Sequence, residues 1–262
     1  MIELLNLADR DMQEIAAALR SGRLSPPFSA ISVQRILPGP MPSALVESLK
    51  RAGEQGFSAE QTAAMLELLR ADRQRRPRLE DIVQVVATGP EMVGSDCRDT
   101  SVVVRDLFAS ATHSILVAGY AVYQGQRVFQ ALADRMRDLP ALQVRLFLDV
   151  HRGHGDTTLA AELVRRFSER FVRTQWPADR PLPKVYYDPR SLDLDQTHRT
   201  SLHAECVVVD GRDVFVSSAN FTEAAQHRNI ELGLLLKSEA IAAAITNFFE
   251  TRLANHLLQQ LL

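Results

Sequence analysis

The sequence predicts an α/β fold in which helices flank both faces of a mixed β-sheet, with a small helical appendage at the N-terminus. Three observations predict it. Residues 1–79 show only the helical spacing of apolar side chains, strand and helix patterns alternate over residues 80–262, and an Asp210-Gly211 turn lies between two apolar runs. The hairpin that this turn predicts makes the sheet mixed rather than wholly parallel. We therefore expect two domains that meet at residues 79 and 80.

The composition is that of an ordinary soluble globular protein, with 262 residues of which 46% are hydrophobic and 24% charged. No apolar run approaches the ~18 residues of a membrane span, so no membrane partner is expected. The N-terminus also lacks the basic start and long apolar stretch of a secretory signal. Cys97 and Cys206 suggest no disulfide framework, so we expect a cytoplasmic protein. The net charge of -2 restricts any nucleic-acid surface to a local patch.

The N-terminal region is expected to contain three or four short helices and no strand. Apolar residues recur at helical spacing over residues 4–19, and the Pro26-Pro27 pair interrupts this pattern. Pro38-Gly39-Pro40 is a second break, and Pro42 is well placed to open the next helix. Ser58-Ala59-Glu60-Gln61 forms a capping-box pattern before a further apolar helix.

A cluster of arginines ends this region. It has two interpretations: an edge or hinge that contacts phosphates, or a solvated helix end where the helix dipole favours cations. The second interpretation is favoured, since charge runs usually form solvated faces. The cluster consists of Arg70, Arg73, Arg75, Arg76 and Arg78.

From residue 80 the order of elements predicts the layered sheet. Thr88-Gly89-Pro90 closes the first strand, residues 114–120 form an apolar buried strand, and residues 239–258 form an amphipathic closing helix. The strands are expected at 82–87, 114–120, 144–150, 184–187, 202–209, 214–217 and 229–236. The helices are expected at 99–111, 126–138, 157–172 and 239–258.

The hairpin carries a set of polar residues with chemical potential. In a strand, His203 and Glu205 point to the same face and lie at its open end. Ser218 and Asn220 come just after the partner strand, so the hairpin returns them to that end. Glu231 follows on a further strand and is expected to reach the second ring nitrogen of His203, which would fix the tautomer of a nucleophile.

The same residues match a long motif of fixed spacing, His-x-Lys-x4-Asp-x6-Gly-Ser-x-Asn. Through it the chain resembles the phospholipase D superfamily over residues 80–258, in its single-motif, nuclease-like bacterial branch. The helical N-terminal region and the run from Ser201 to Thr222 are similar to the phospholipase D-like proteins of DISARM anti-phage operons. The motif positions hold His203, Asp210, Ser218 and Asn220, and Glu231 matches the acidic residue that follows in many members.

The resemblance implies a hydrolytic mechanism. His203 would attack phosphorus, and water would hydrolyse the phosphohistidine. The second histidine would be His203 of another subunit, so a homodimer with a shared cleft is implied. No metal and no other cofactor is expected. The implied partners are nucleic acid, with DNA first, and proteins of a defence complex. The catalytic set is expected to be His203, Glu205, Asp210, Ser218, Asn220 and Glu231.

Two positions depart from the motif. Ser217 replaces the glycine, and Glu205 replaces the lysine that neutralises a phosphate oxygen. Loss of one such donor typically costs ~2.7–4 kcal/mol in the transition state, and a carboxylate should repel the phosphodiester further. Glu205 marks a natural degenerate site, a deliberate inactivating substitution or a retuned site, and the first two predict weak hydrolysis.

Two other functions stand beside the leading one. The first is a non-catalytic component of a defence complex that binds nucleic acid or is structural. The second is a lipid phosphodiesterase, which lacks the support of an amphipathic basic helix.

Overall fold

The computed structural model describes residues 2–37, 43–89 and 97–262. The chain forms two compact units, Met1–Arg78 and Leu79–Leu262. Three features predicted from the sequence lie outside the described residues: the break at residues 38–40, the helix opening at Pro42, and Pro90, which ends the turn after the first strand.

The first unit is helical throughout its described residues. Its interior is apolar, with Met12, Ile15, Leu49 and Leu66 fully buried. The predicted capping box is present, because the Ser58 hydroxyl accepts from the Gln61 N–H and the Ser58 N–H donates to the Gln61 side chain. Its helices are α1 Ile2–Leu5, α2 Asp9–Arg20, α3 Ala30–Gln34, α4 Ser43–Glu54 and α5 Ala59–Arg75.

The arginine cluster continues from the last turns of α5. Arg73 pairs with Asp9 at 3.5 Å, and Arg76 pairs with Asp72 at 2.6 Å. These contacts lie within the first unit and engage two of the five cations. They favour the solvated helix end over a phosphate-binding edge.

The second unit contains a nine-stranded mixed sheet in the order β11-β6-β5-β3-β7-β8-β10-β1-β2, and β4 and β9 form a separate pair. The pairs β3–β5 and β5–β6 are parallel, whereas β3–β7, β7–β8, β8–β10 and β10–β1 are antiparallel. The predicted mixed sheet is therefore confirmed. Its strands are β1 Val83–Thr88, β2 Arg98–Asp99, β3 Ser114–Gly119, β4 Val122–Tyr123, β5 Gln143–Leu148, β6 Lys184–Tyr187, β7 Cys206–Val209, β8 Asp213–Ser217, β9 Phe221–Thr222, β10 Glu231–Lys237 and β11 Gln259–Gln260.

Helices cover both faces of this sheet, as predicted. The helices α7 and α9 bury Phe108 and Leu132 against one face, and α12 buries Phe249 against the other. The helices are α6 Leu79–Ile82, α7 Thr100–Ser110, α8 Gly125–Val128, α9 Gln130–Asp138, α10 Ala160–Arg170, α11 Glu223–His227 and α12 Glu239–Ala254. A π-helical turn, Phe171–Gln175, follows α10, and a 3₁₀ turn spans Pro189–Leu192.

Most predicted elements shift by one or two residues at their ends, and four differ more. The closing helix expected at 239–258 ends at Ala254. The helix expected at 126–138 is divided at Phe129, whose buried ring packs against three aromatic rings. The helix expected at 157–172 begins at Ala160, because the Arg152 guanidinium and the Asp156 carboxylate hold Thr158 outside the helix. The strand expected at 202–209 begins only at residue 206.

One edge of the sheet collects the strand ends that carry the motif. Since β3 and β5 are parallel, their carboxyl ends at Gly119 and Leu148 lie together. The strand β7 is antiparallel to β3, so its amino end at Cys206 lies beside Ala118. Its partner β8 returns to the same edge at Ser217, and the amino end of β10 borders it there. We name this the site edge.

Candidate functional site

His203 lies at the site edge, in the extended segment that precedes β7. Its ring stands edge-on to the Tyr120 ring, with the centroids 4.6 Å apart and the planes at 86°. The side chain is exposed, and no hydrogen bond to another described residue occupies either ring nitrogen. A nucleophilic histidine needs such an accessible nitrogen.

The backbone next to His203 is anchored by Asp149. This carboxylate follows β5 and accepts a hydrogen bond from the Leu202 N–H at 2.9 Å. Its own N–H donates to the Gly119 carbonyl at 3.3 Å. Burial raises the pKa of Asp149, although the hydrogen bond from Leu202 opposes that change. The contact ties the His203 segment to the end of β5.

Glu205 is largely buried beside the end of β3. One carboxyl oxygen, Oε1, accepts a hydrogen bond from the Tyr120 N–H at 2.8 Å. The other, Oε2, is buried and has no hydrogen-bond partner among the described residues. A Cβ atom at Gly119 would lie 3.5 Å from that oxygen, an ordinary contact, but 2.6 Å from Cδ2 of Phe221, so the glycine leaves room for the Phe221 ring.

The surroundings of Glu205 change its ionisation. Burial raises the pKa of Glu205 to about 8, the Tyr120 N–H opposes this, and the charge of Glu231 adds to the rise. Because the pKa lies near 8, the neutral acid predominates at pH 7. From the sequence, a carboxylate that repels phosphate is expected at this position. Burial weakens that repulsion at neutral pH, because it favours the protonated form of Glu205.

Ser218 and Glu231 form a pair on the neighbouring strands. The Ser218 hydroxyl donates to Glu231 Oε2 at 2.6 Å and accepts from the Leu232 N–H at 3.2 Å. The Asn229 amide donates to Glu231 Oε1 at 3.1 Å. The expected hydrogen bond between the His203 ring and Glu231 is absent from the described part of the chain, where Glu231 accepts from Ser218 and Asn229.

Asn220 joins the site from the segment after β8. Its Oδ1 accepts a hydrogen bond from the Ala121 N–H at 3.2 Å. The adjacent strands β4 and β9 pair in parallel, with Val122 opposite Phe221. The amide Nδ2 of Asn220 donates to no described residue and remains available to a ligand. Glu205 and Asn220 thus bind successive backbone N–H groups of one segment.

Asp210 does not join this group. It lies in the hairpin turn at the opposite end of β7, and the strand alone separates the two ends by roughly 13 Å. The turn has φ values of 49° at Asp210 and 64° at Gly211, the left-handed conformation that favours glycine and asparagine or aspartate. Asp210 holds the fold there, because it accepts hydrogen bonds from the backbone N–H groups of residues 112–114.

The structure thus brings His203, Glu205 and Asn220 around one short segment, with Ser218 and Glu231 beside them, and leaves Asp210 apart. The sequence analysis did not assign the segment itself, Tyr120-Ala121, or the anchor Asp149. A signal was available for both. Each follows an apolar strand, and ligands in open α/β sheets bind beyond the carboxyl ends of such strands.

The described residues contain no group of three or more histidine, cysteine or acidic side chains placed to hold a metal ion. None of their helices combines the length and the apolar character required to cross a membrane.

The chain was compared with known families and proteins. The family model described as "Cardiolipin synthase, PLD-like domain" matches residues 104–253. The DISARM protein DrmC of Bacillus paralicheniformis is 29% identical over 187 residues, which cover 70% of this chain and 68% of that protein.

Solved structures were compared as well. Nuc, a phospholipase D family member from Salmonella typhimurium, is 18% identical with a TM-score of 0.44, over 68% of this chain and 96% of its own. NucT from Helicobacter pylori is 14% identical with a TM-score of 0.44, over 66% of this chain and 96% of its own.

Proposed function

The chain belongs to the PLD-like domain family, and from that premise we propose that it is a phosphodiesterase of nucleic acid, DNA first, in bacterial anti-phage defence. The observation that carries the chemistry is the exposed His203 ring, both of whose nitrogens are without a hydrogen-bond partner among the described residues. The defence role is carried over from the similarity to DISARM protein DrmC. Partner proteins of a defence complex belong to the same proposal.

In the proposed reaction, a lone pair of His203 attacks phosphorus and the bond from phosphorus to the leaving oxygen breaks. The leaving oxygen takes a proton from His203 of the partner subunit, acting as a general acid. Water then attacks the phosphohistidine and gives a proton to His203 of the partner subunit, which the first step left neutral, and the bond from phosphorus to the imidazole breaks. The free amide Nδ2 of Asn220 is available to donate to a non-bridging phosphate oxygen.

The second histidine requires a homodimer, and a patch of exposed apolar side chains supports one. Val85, Leu234 and Val216 lie side by side across β1, β10 and β8 and are 48%, 44% and 42% exposed. Leu232, further along β10, is 62% exposed, and its N–H binds Ser218. A contiguous apolar patch of this kind is typical of an interaction surface. We name these four residues the apolar patch and propose that a second copy covers it.

The dimer is tested by substitution in this patch. Leu234→Glu should convert a dimer into a monomer, measured by light scattering, and should abolish cleavage with an unchanged circular dichroism spectrum. Leu159→Glu is the matched control, because Leu159 is 79% exposed and outside the patch. A wild-type protein that is monomeric at micromolar concentration removes the two-histidine mechanism.

The activity is expected to be weak, because the site has no cation at the position of Glu205. A neutral acid at pH 7 avoids repulsion but does not neutralise the charge that develops at phosphorus. Glu205→Lys should therefore accelerate cleavage by about 10²–10³-fold. Lysine cannot accept a hydrogen bond from the Tyr120 N–H, so Glu205→Lys is expected to be less stable. The cleavage rates are therefore compared per amount of folded protein. Glu205→Gln is the neutral control and should match the wild type at pH 7.

A non-catalytic nucleic-acid-binding component is the second candidate. It is favoured by the missing cation and by the lack of an orienting hydrogen bond on the His203 ring among the described residues. The deciding experiment incubates the wild type and His203→Ala with single- and double-stranded DNA in chelator. Cleavage that is lost in His203→Ala supports the hydrolase. Binding without cleavage by either the wild type or Glu205→Lys supports the second candidate. Lack of both contradicts the nucleic-acid proposal.

A further inference from the structure

A cavity of about 500 Å³ lies next to the site edge, between the ends of β3 and β5 and the helix α10. Tyr120 and Ala121 belong to its lining, and the backbone N–H groups of these two residues bind Glu205 and Asn220. The Tyr120 ring also contacts His203. Tyr120 therefore links the cavity to the proposed nucleophile, because its side chain contacts His203, which is not itself a lining residue.

The lining combines flat aromatic surfaces with cations. Tyr120, Tyr123 and Phe167 provide the aromatic part, and the buried Phe171 lies behind them. Arg166 and Arg170 stand on the α10 side, and Arg166 is paired with Glu162 at 2.7 Å. Tyr123 is 66% exposed. Its backbone is held in place because β4 pairs with β9. An exposed tyrosine on a fixed strand is a surface on which a planar ligand can stack.

The charges of the lining favour an anion. The Arg170 guanidinium lies 5.3 Å above the Phe167 ring and has no ion pair with any described residue. Asp149 contributes the one carboxylate among the described lining residues, and it is buried and bound to the Leu202 N–H. The accessible charge at this cavity is therefore positive.

We propose that the cavity binds an unpaired nucleobase next to the phosphodiester at His203, so that the preferred substrate is single-stranded nucleic acid. This rests on the proposed function. The base stacks on Tyr123, and Arg170 binds a phosphate of the same strand. A base in a duplex cannot enter unless it leaves the stack, which opposes binding of double strands. The volume lies in the range of small-molecule sites and accommodates one nucleoside.

The proposal is tested by binding, separately from cleavage. All variants carry His203→Ala so that turnover is blocked, and fluorescence anisotropy measures a labelled single-stranded 12-mer and its duplex at one fixed salt concentration. Tyr123→Ala should weaken single-strand binding about 5- to 150-fold, whereas Tyr123→Phe retains it. Arg170→Ala should also weaken it, whereas Arg165→Ala, on the same helix but outside the lining, should leave it within twofold. Duplex binding should be weaker than single-strand binding and insensitive to Tyr123.

The proposal would be overturned if Tyr123→Ala bound the single strand as tightly as the parent protein, or if the duplex bound more tightly than the single strand. It would also be overturned if the cavity bound anionic phospholipid vesicles and not single strands. Its failure is distinct from that of the hydrolase. A protein that cleaves duplexes through His203 without dependence on Tyr123 keeps the hydrolase and loses this inference. A protein that binds single strands through Tyr123 without cleaving them keeps this inference and loses the hydrolase.

Discussion

The two ends of β7 each carry a carboxyl side chain, and the two are treated in opposite ways. Asp210, at the turn, accepts four hydrogen bonds of 2.7–2.8 Å, from the N–H groups of Thr112, His113 and Ser114 and from the Thr112 hydroxyl. Glu205, at the site edge, accepts one from Tyr120 and leaves its other oxygen buried and unpaired among the described residues.

The number of donors decides the charge. At Asp210 burial alone raises the pKa, but the hydrogen bonds from residues 112–114 outweigh it, so the pKa is lowered and the carboxylate is ionised. At Glu205 one donor does not offset burial, and the pKa rises to about 8. At the Asp210 end of β7 the carboxylate has all its donors and holds the fold, and we call this the saturated end. At the Glu205 end one oxygen lacks a donor among the described residues, which leaves it available to a ligand.

The largest effect is expected from the proton on Glu205. The pKa of Glu205 is about 8 in the folded state, whereas its ordinary value is 4.5. The stability that the bound proton confers on the fold is therefore fully present below pH 4.5 and is lost as the pH rises through 8. The loss should be on the order of 3–5 kcal/mol. Glu205→Gln keeps an acceptor for the Tyr120 N–H and has no acidic proton, so its stability should lack this decline.

Urea unfolding between pH 5 and 9 checks this difference. Glu239→Gln, an exposed position in the first turn of α12, serves as control and should keep the wild-type decline. Equal pH dependence of the wild type and Glu205→Gln would show that Glu205 is ionised in the fold, and the contrast between the two ends would disappear.

The next effect concerns the saturated end. Asp210→Ala removes the acceptor of four hydrogen bonds, and the free energy of unfolding should fall by about 2–4 kcal/mol at pH 7. In the wild type the contribution of Asp210 is present above its ordinary pKa of 3.8 and is lost as pH falls through its lower folded value. Urea unfolding measures both the loss of stability in Asp210→Ala and the pH dependence of the wild type. Asp213→Ala in the same hairpin should change stability by less than about 0.5 kcal/mol, and an equal loss in both variants would contradict the structural role.

A smaller effect is expected where Glu205 meets β3. In Gly119→Ala the new Cβ would stand 2.6 Å from Cδ2 of Phe221 and 3.5 Å from Oε2 of Glu205. The Phe221 ring must move, and overpacking of this kind costs about 1–3 kcal/mol. Gly153→Ala, where the nearest side-chain atom is 3.8 Å away, should be close to neutral. A neutral Gly119→Ala would show that the Phe221 ring has room to move aside.

Much of the fold followed from local patterns. The apolar run of β3, the Asp210-Gly211 turn and the amphipathic spacing of α12 each depend on neighbouring residues, so periodicity and turn chemistry predicted them. The errors fall where distant side chains intervene. The π-helical turn after α10 and the break at Phe129 follow from packing between aromatic rings, which no local pattern encodes.

The candidate site was predicted in part. The spacing of His203, Ser218 and Asn220 indicated one end of the hairpin, and the structure brings them to the site edge. The hydrogen bond expected between Glu231 and His203 is not formed among the described residues, and Glu231 accepts from Ser218 and Asn229 instead. Spacing limits which residues can meet, but it does not rank competing partners.

By itself, the sequence determined the family motif, the hairpin that carries it and the loss of a lysine at residue 205, because these depend on residue identity and spacing. Only the tertiary structure decided the charge that Glu205 carries. Its charge depends on burial and on donors from Tyr120, which lies 85 residues away in the chain. The tertiary structure also decided that Asp210 belongs to the fold and that a cavity opens beside Tyr120, whose ring contacts His203, because both arise where β3, β5 and β7 are brought together.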